Sequence, residues 1–315
     1  MASVPTTAPL PSPAGERTER ELKVSWYGRK PVANGRLRWS LQGPDGSSID
    51  SGEWVVGPVQ PGTVAPLGKV GFIAPKADQP KKLRLAVALS DGSGTIANHW
   101  DYWVFPPAPR VPENPQLVVA KKLDGQLLEK LAGGARVVLL GGEGLPRRAL
   151  SFQQGIGGRP ENNFATVVEK HPITDAFPHD GYFDWQFYRM AYKANSVVFD
   201  ALPVPFKPII EVANSYKQVI PQSPLFEWQV GKGRLIVCTL NLDEKRPEVA
   251  YFEALILRYA AGPDLVAAPA MSASDLASLM KRSSAPVRKL DGDDQGLDPR
   301  VLDPKAQKRS QSSTP

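Results

Sequence analysis

A β-sandwich followed by an α/β domain is the fold class this sequence predicts, and three observations predict it. Between residues 21 and 105, short stretches alternate apolar and polar residues and are separated by turn residues, with no helical period among them. From Gln116 onward, apolar stretches of strand length alternate with segments of helical spacing. Between the two lie Pro106, Pro107, Pro109, Pro112 and Pro115, which cannot donate to a β-ladder and so end the sheet.

The first strands are expected at residues 22–27, 36–41 and 52–56, the last two separated by Gly43-Pro44-Asp45-Gly46, where proline and glycine supply the turn dihedrals. Residues 69–73, 82–89 and 99–105 continue the series. In the last of these, Trp100, Tyr102 and Val104 share one face and Asp101, Trp103 and Phe105 the other. About seven short strands at this spacing predict an immunoglobulin-like sandwich over residues 21–106, followed by a proline-rich linker at 107–115. In the second unit, residues 116–120 read as a strand, 123–131 as a helix and 136–140 as a buried strand running into Gly141-Gly142, which makes one βαβ unit. Further strands are expected at 196–199, 207–212, 225–230 and 234–240, the last pair joined as a hairpin by Gly231-Lys232-Gly233. An amphipathic helix at 248–259 closes the unit. The pattern predicts an α/β flavodoxin-like domain over residues 116–261, with an antiparallel edge.

No aromatic residue precedes Trp26 or follows Tyr259, and the flanks are rich in Pro, Ser, Ala, Lys and Asp. Such segments bury too little apolar surface to offset chain entropy, so residues 1–20 are expected to be disordered and 262–315 to be a low-complexity tail. The net charge of +6 is spread along the chain without a run of Lys and Arg interleaved with aromatics, which argues against nucleic acid as a partner. The single cysteine, Cys238, excludes an internal disulfide and any multi-cysteine metal site. Residues 1–15 contain no continuous apolar run of the kind a secretory signal or membrane anchor needs. The expectation is either a cytoplasmic protein or the C-terminal piece of a longer, exported precursor.

Leu37-Arg38-Trp39-Ser40-Leu41, Asp45-Gly46 and Trp100-Asp101-Tyr102-Trp103-Val104-Phe105-Pro106 make the sandwich resemble the accessory domain that follows the barrel in bacterial glycoside hydrolase family 2 proteins. His171-Pro172, Phe177-Pro178, Gly181-Tyr182, Asp184-Trp185-Gln186 and Val230-Gly231-Lys232-Gly233-Arg234-Leu235 resemble the terminal domain of the same proteins. That domain is similar to class I glutamine amidotransferases without keeping their chemistry. The resemblance implies a non-catalytic accessory region, with a catalytic glycosidase barrel upstream or on another chain as partner. It implies no cofactor and no membrane span. Two further readings stand beside it: a free-standing carbohydrate-binding or assembly module, and a degenerate amidotransferase-like hydrolase.

The chemistry of a retaining glycosidase needs two carboxylates about 5–5.5 Å apart, generally on a barrel, and no eightfold β/α repeat is present in the sequence. An amidotransferase needs a cysteine on a strand-to-helix elbow and a His-x-Glu pair, whereas Cys238 lies within an apolar strand and reads as a buried hydrophobe. Gly141-Gly142-Glu143-Gly144 lacks the spacing of a nucleotide-binding turn. Trp54 and Trp103 are the candidates for sugar contact, because sugar rings stack on exposed aromatic faces. Phe177, Tyr182 and Trp185 are candidates for an interface, since so many large rings in one loop mark a contact. His179, Asp180 and Asp184 form a weak alternative metal set. The favoured role of Asp184 is the N-cap of a helix beginning at Trp185.

Overall fold

The computed structural model describes residues 11–92, 94–150, 165–199, 204–213, 220–243 and 245–284. They fall into two compact units. One holds residues up to Pro109 with Ala176–Pro178 and Lys245–Phe252, and the other holds the remainder.

The first unit contains a β-sandwich. Its larger sheet has the order β1 (Ser12–Pro13), β7 (Gly94–Phe105), β6 (Lys81–Asp91), β3 (Gly35–Gln42), β4 (Ser48–Val56); the smaller pairs β2 (Arg17–Trp26) with β5 (Thr63–Ile73). Alternation builds the core directly: Leu37, Trp39 and Leu41 of β3 point inward while Arg36 and Arg38 point to solvent and meet Glu53 across the sheet at 2.9 and 3.0 Å. Leu22, Val24, Val70 and Phe72 of the small sheet close over Leu83, Leu85, Tyr102 and Val104 of the large one. On the opposite face of β7, Phe105 packs 5.3 Å from Phe177, whose ring lies 4.9 Å from Phe252.

The N-terminal boundary differs from expectation. Residues 17–20 belong to β2, and Ser12 is buried, its hydroxyl meeting those of Tyr102 and Thr18, with Thr18 3.0 Å from Tyr102. The anchor is a polar trio, which an argument from missing aromatics overlooks. Residues 1–10 lie outside the described set.

The second unit is built on a mixed sheet of order β11 (Ala165–Val168), β13 (Pro208–Ala213), β15 (Leu225–Val230), β16 (Gly233–Cys238), β9 (Arg136–Glu143), β8 (Leu117–Lys122). A smaller sheet joins β10 (Arg147–Ala149), β12 (Asn195–Val198) and β14 (Gln222–Ser223). Pairing is parallel among β8, β9 and β16 and antiparallel among β16, β15, β13 and β11. The parallel part matches the predicted βαβ unit, with α1 (Gly125–Ala132) as crossover and Asp124 accepting from the Leu127 N–H as its N-cap. The antiparallel part is wider than the single edge expected. One local cause is the turn at Gly231-Lys232: Gly231 takes φ 58°, the sign a tight hairpin needs at its first central position, so β15 must return against β16. Gly144 is fixed by close approach, since a Cβ there would lie 2.5 Å from the Leu123 carbonyl oxygen.

α2 (Tyr188–Ala191) is a single short turn, and α3 (Pro247–Ala261) is the predicted closing helix. The chain does not stop there. Contrary to the tail expected from residue 262, β17 (Ala270–Met271) pairs in parallel with β15 and α4 (Ala273–Lys281) follows, capped by Ser272. Met271, Leu276 and Leu279 are buried in the same core as Leu127, Leu139, Trp228 and Leu235. Three aliphatic side chains at the right spacing anchor this strap without aromatics. Residues 285–315 lie outside the described set.

Candidate functional site

The residues singled out from the sequence do not converge. Trp103 is only 1% exposed, so neither ring face is open to a sugar; the Lys82 ammonium lies 5.7 Å from its ring centre. The alternation of β7 places Trp103 with Phe105, and both faces of this strand end are covered. Trp54 is half-buried, donates its indole N–H to the Leu67 carbonyl at 2.6 Å and packs against the sandwich core. The loop aromatics divide: Phe177 is buried at 1% exposure, while Tyr182 and Trp185 remain 48% and 38% exposed. Trp185, Tyr188 and Tyr192 follow one another at ring spacings of 5.5 Å.

Asp184 accepts from the Trp185 N–H at 2.7 Å and is the N-cap of the turn Trp185–Phe187. His179 accepts at Nδ1 from the Gly181 N–H; burial lowers its pKa, opposed by the nearby Asp175 and Asp180 charges. No group of three or more His, Cys, Asp or Glu side chains among the described residues is arranged to hold a metal ion. Cys238 is fully buried at the end of β16, and burial pushes its thiol up to about 12, so at neutral pH it carries no thiolate.

A different cluster occupies the second unit. Glu227 sits in β15 between Phe226 and Trp228, and its alternation turns it to the face opposite the aromatic core. Its carboxylate is buried and surrounded. The Tyr259 hydroxyl from α3 lies 3.0 and 3.2 Å from the two oxygens, His171 Nε2 is 3.3 Å from Oε1, and Arg234 Nη1 is 3.2 Å from Oε2. The Ile173 N–H donates to His171 Nδ1 at 3.2 Å, so in the neutral ring the proton is on Nε2, facing Glu227. Burial, reinforced by the Glu227 charge, holds the Tyr259 hydroxyl far above its ordinary pKa. Arg234 compensates the carboxylate, since a buried charge without a partner would cost several kcal/mol.

The same network holds the strap. Arg234 donates to the Val266 carbonyl at 2.8 Å, and the Val266 N–H donates to Tyr259 Oη at 3.1 Å. Between the strap and β13 opens a pocket of ≈ 630 Å³, with His171 and Glu227 in its lining, Lys170, Phe206, Lys207 and Glu211 around it, and residues 266–269 along one side. The arrangement can bind and orient a polar ligand. Glu227 itself is already engaged by three partners and is not poised as a free acid or nucleophile.

Sequence reasoning missed this cluster. The available signal was Glu227, the only acid within the apolar strand Leu225–Val230, and Arg234 four residues past the strand end. Neither carries a motif, because ion pairing across a hairpin depends on register.

No helix among the described residues is long and apolar enough to cross a membrane. Comparison with curated proteins finds none that matches. Among solved structures, the β-glucuronidases of Parabacteroides merdae and Bacteroides uniformis are each 12% identical, with TM-scores of 0.23, covering 39% and 44% of this chain and 19% of their own. A family 123 glycoside hydrolase from Clostridium perfringens is 10% identical, with a TM-score of 0.24, covering 39% of this chain and 26% of its own. The chain thus spans about a quarter or less of these enzymes, and the likeness is too slight to assign an activity. Residues 16–106 match the model described as Domain of unknown function (DUF8488). Residues 118–281 match the model described as Domain of unknown function (DUF8487); this is just over half of the chain, which therefore belongs to that family.

Proposed function

We propose that the chain is a non-catalytic accessory region acting with a family 2-like glycoside hydrolase, its immunoglobulin-like sandwich and amidotransferase-like second domain spacing and supporting a catalytic barrel carried elsewhere. The observation that carries this reading is the state of Glu227. The buried carboxylate of the second unit's pocket is spent on Tyr259, His171 and Arg234, an arrangement that stabilises structure and takes Glu227 out of use as a catalytic acid or nucleophile. Cys238, the residue an amidotransferase reading would need, is closed off within the sheet and held protonated. The family resemblance in the sequence supplies the carbohydrate context, and the glycoside hydrolases among the distant structural neighbours are compatible with it.

The test is an activity and association assay on the full chain. No turnover of chromogenic β-galactosides or β-glucuronides is expected, and tagged protein expressed in its native source is expected to co-purify with a barrel-bearing glycosidase. Turnover that disappears when a Glu or Asp of this chain is replaced would overturn the accessory role, as would recovery of the tagged chain free of any glycosidase.

A further inference from the structure

We propose that the pocket between β13 and the strap is a binding site for a short, uncharged oligosaccharide. The proposal deepens the accessory reading by naming what the second unit would recognise, and it stands on three observations. The first is size: ≈ 630 Å³ is the volume of a site for a ligand of several rings. A free amino acid or an inorganic anion would leave most of that space filled with water.

The second is charge. Lys170 and Lys207 face the pocket together with Glu169 and Glu211, and among the described residues no hydrogen bond or ion pair engages any of these four side chains. An anionic ligand would meet the two carboxylates and a cationic one the two ammonium groups. A hydroxyl both donates and accepts, so it can donate a hydrogen bond to a carboxylate and accept one from an ammonium group. Neutral polyols satisfy both signs at once.

The third is the pairing of apolar surface with a rigid polar floor. Phe206, Pro172, Pro208 and Pro269 contribute apolar surface to the pocket lining, which suits the C–H groups of a pyranose. Beneath them Glu227 and His171 are held in place by Tyr259 and Arg234, and the strap is tied to the same two residues, so the site is formed before a ligand arrives.

The test titrates the full chain with a panel of neutral β-linked di- and trisaccharides, with glucuronic acid and with glycine, by calorimetry and saturation-transfer NMR. At least one neutral saccharide is expected to bind, and the Lys207→Ala, Glu211→Gln double variant is expected to weaken it at least about tenfold while melting at the parent temperature. Lys193→Ala, on a segment that does not line the pocket, is expected to bind as the parent does. Silence across the neutral panel, equal affinity in the double variant, or preference for glucuronic acid or glycine would overturn the proposal. Failure of the accessory reading would show separately, as glycoside turnover or as isolation without a glycosidase.

Discussion

The two units solve the problem of buried polarity differently. In the sandwich the interior is apolar apart from a hydroxyl trio, Ser12, Thr18 and Tyr102, at its edge. In the second unit a carboxylate, an imidazole, a phenol and a guanidinium share one buried network. Neutral hydroxyls can be replaced at a cost of about 1 kcal/mol each, whereas removing one member of a charged network strands the others without solvent. The sandwich is therefore expected to tolerate polar substitution and the second unit to fail at single positions.

The largest effect should come from cutting the chain after Ala261. This removes Met271, Leu276 and Leu279 from the core and the Val266 backbone from Tyr259 and Arg234. At about 2–5 kcal/mol for each buried aliphatic side chain, the loss is comparable to the whole stability of a domain. Calorimetry is expected to show the second unit's transition displaced by tens of degrees or absent, with that of the sandwich unchanged. A truncated chain melting like its parent would mean that the strap is dispensable.

Glu227→Ala should follow, at about 3–5 kcal/mol in denaturant unfolding, because Arg234 is left buried without its counter-charge. The contrast with the sandwich sharpens if Tyr102→Phe costs only about 1–2 kcal/mol, the value of a buried hydrogen bond. Equal costs would erase the distinction between the two interiors.

Phe177→Ala and Trp185→Ala form a matched pair within one loop. Phe177 is enclosed by Phe105 and Phe252 and is expected to cost about 3–5 kcal/mol; Trp185, more than a third exposed, should cost clearly less despite its larger ring. The sequence placed both rings among the interface candidates without separating them.

The smallest effect concerns Cys238. Its pKa is raised from 9.0 to about 12, so the folded state binds the thiol proton more tightly than the unfolded chain does. The resulting stability is fully present below pH 9.0 and is lost as pH rises toward 12. Cys238→Ala should remove this pH dependence, and alkylation of the native protein should be slow near neutral pH. Rapid labelling would show that the sheet opens around it.

Much of this architecture was legible in the sequence. Alternation in residues 36–41 and 82–89 predicts a half-buried strand because its period of two is a property of the extended backbone, and the structure follows it residue by residue. The hairpin at Gly231 and the N-cap at Asp184 were equally local, since each depends on dihedrals or hydrogen bonds spanning only a few residues. Trp103 shows where local reading ends: the strand's period assigns it a face, and whether that face is covered depends on segments distant in the chain. The strap and the Glu227 network are decided the same way. Leu276 and Leu279 are ordinary residues of a short helix until β17 pairs with β15, and Glu227 joins His171 and Tyr259 across separations of 56 and 32 residues. The sequence by itself determined the longer alternating strands, the Gly231 hairpin and the Asp184 cap, because these are set by backbone geometry and near neighbours. Only the tertiary structure decided which charges meet and which faces close, because Coulombic and packing energies act through space and are indifferent to separation along the chain.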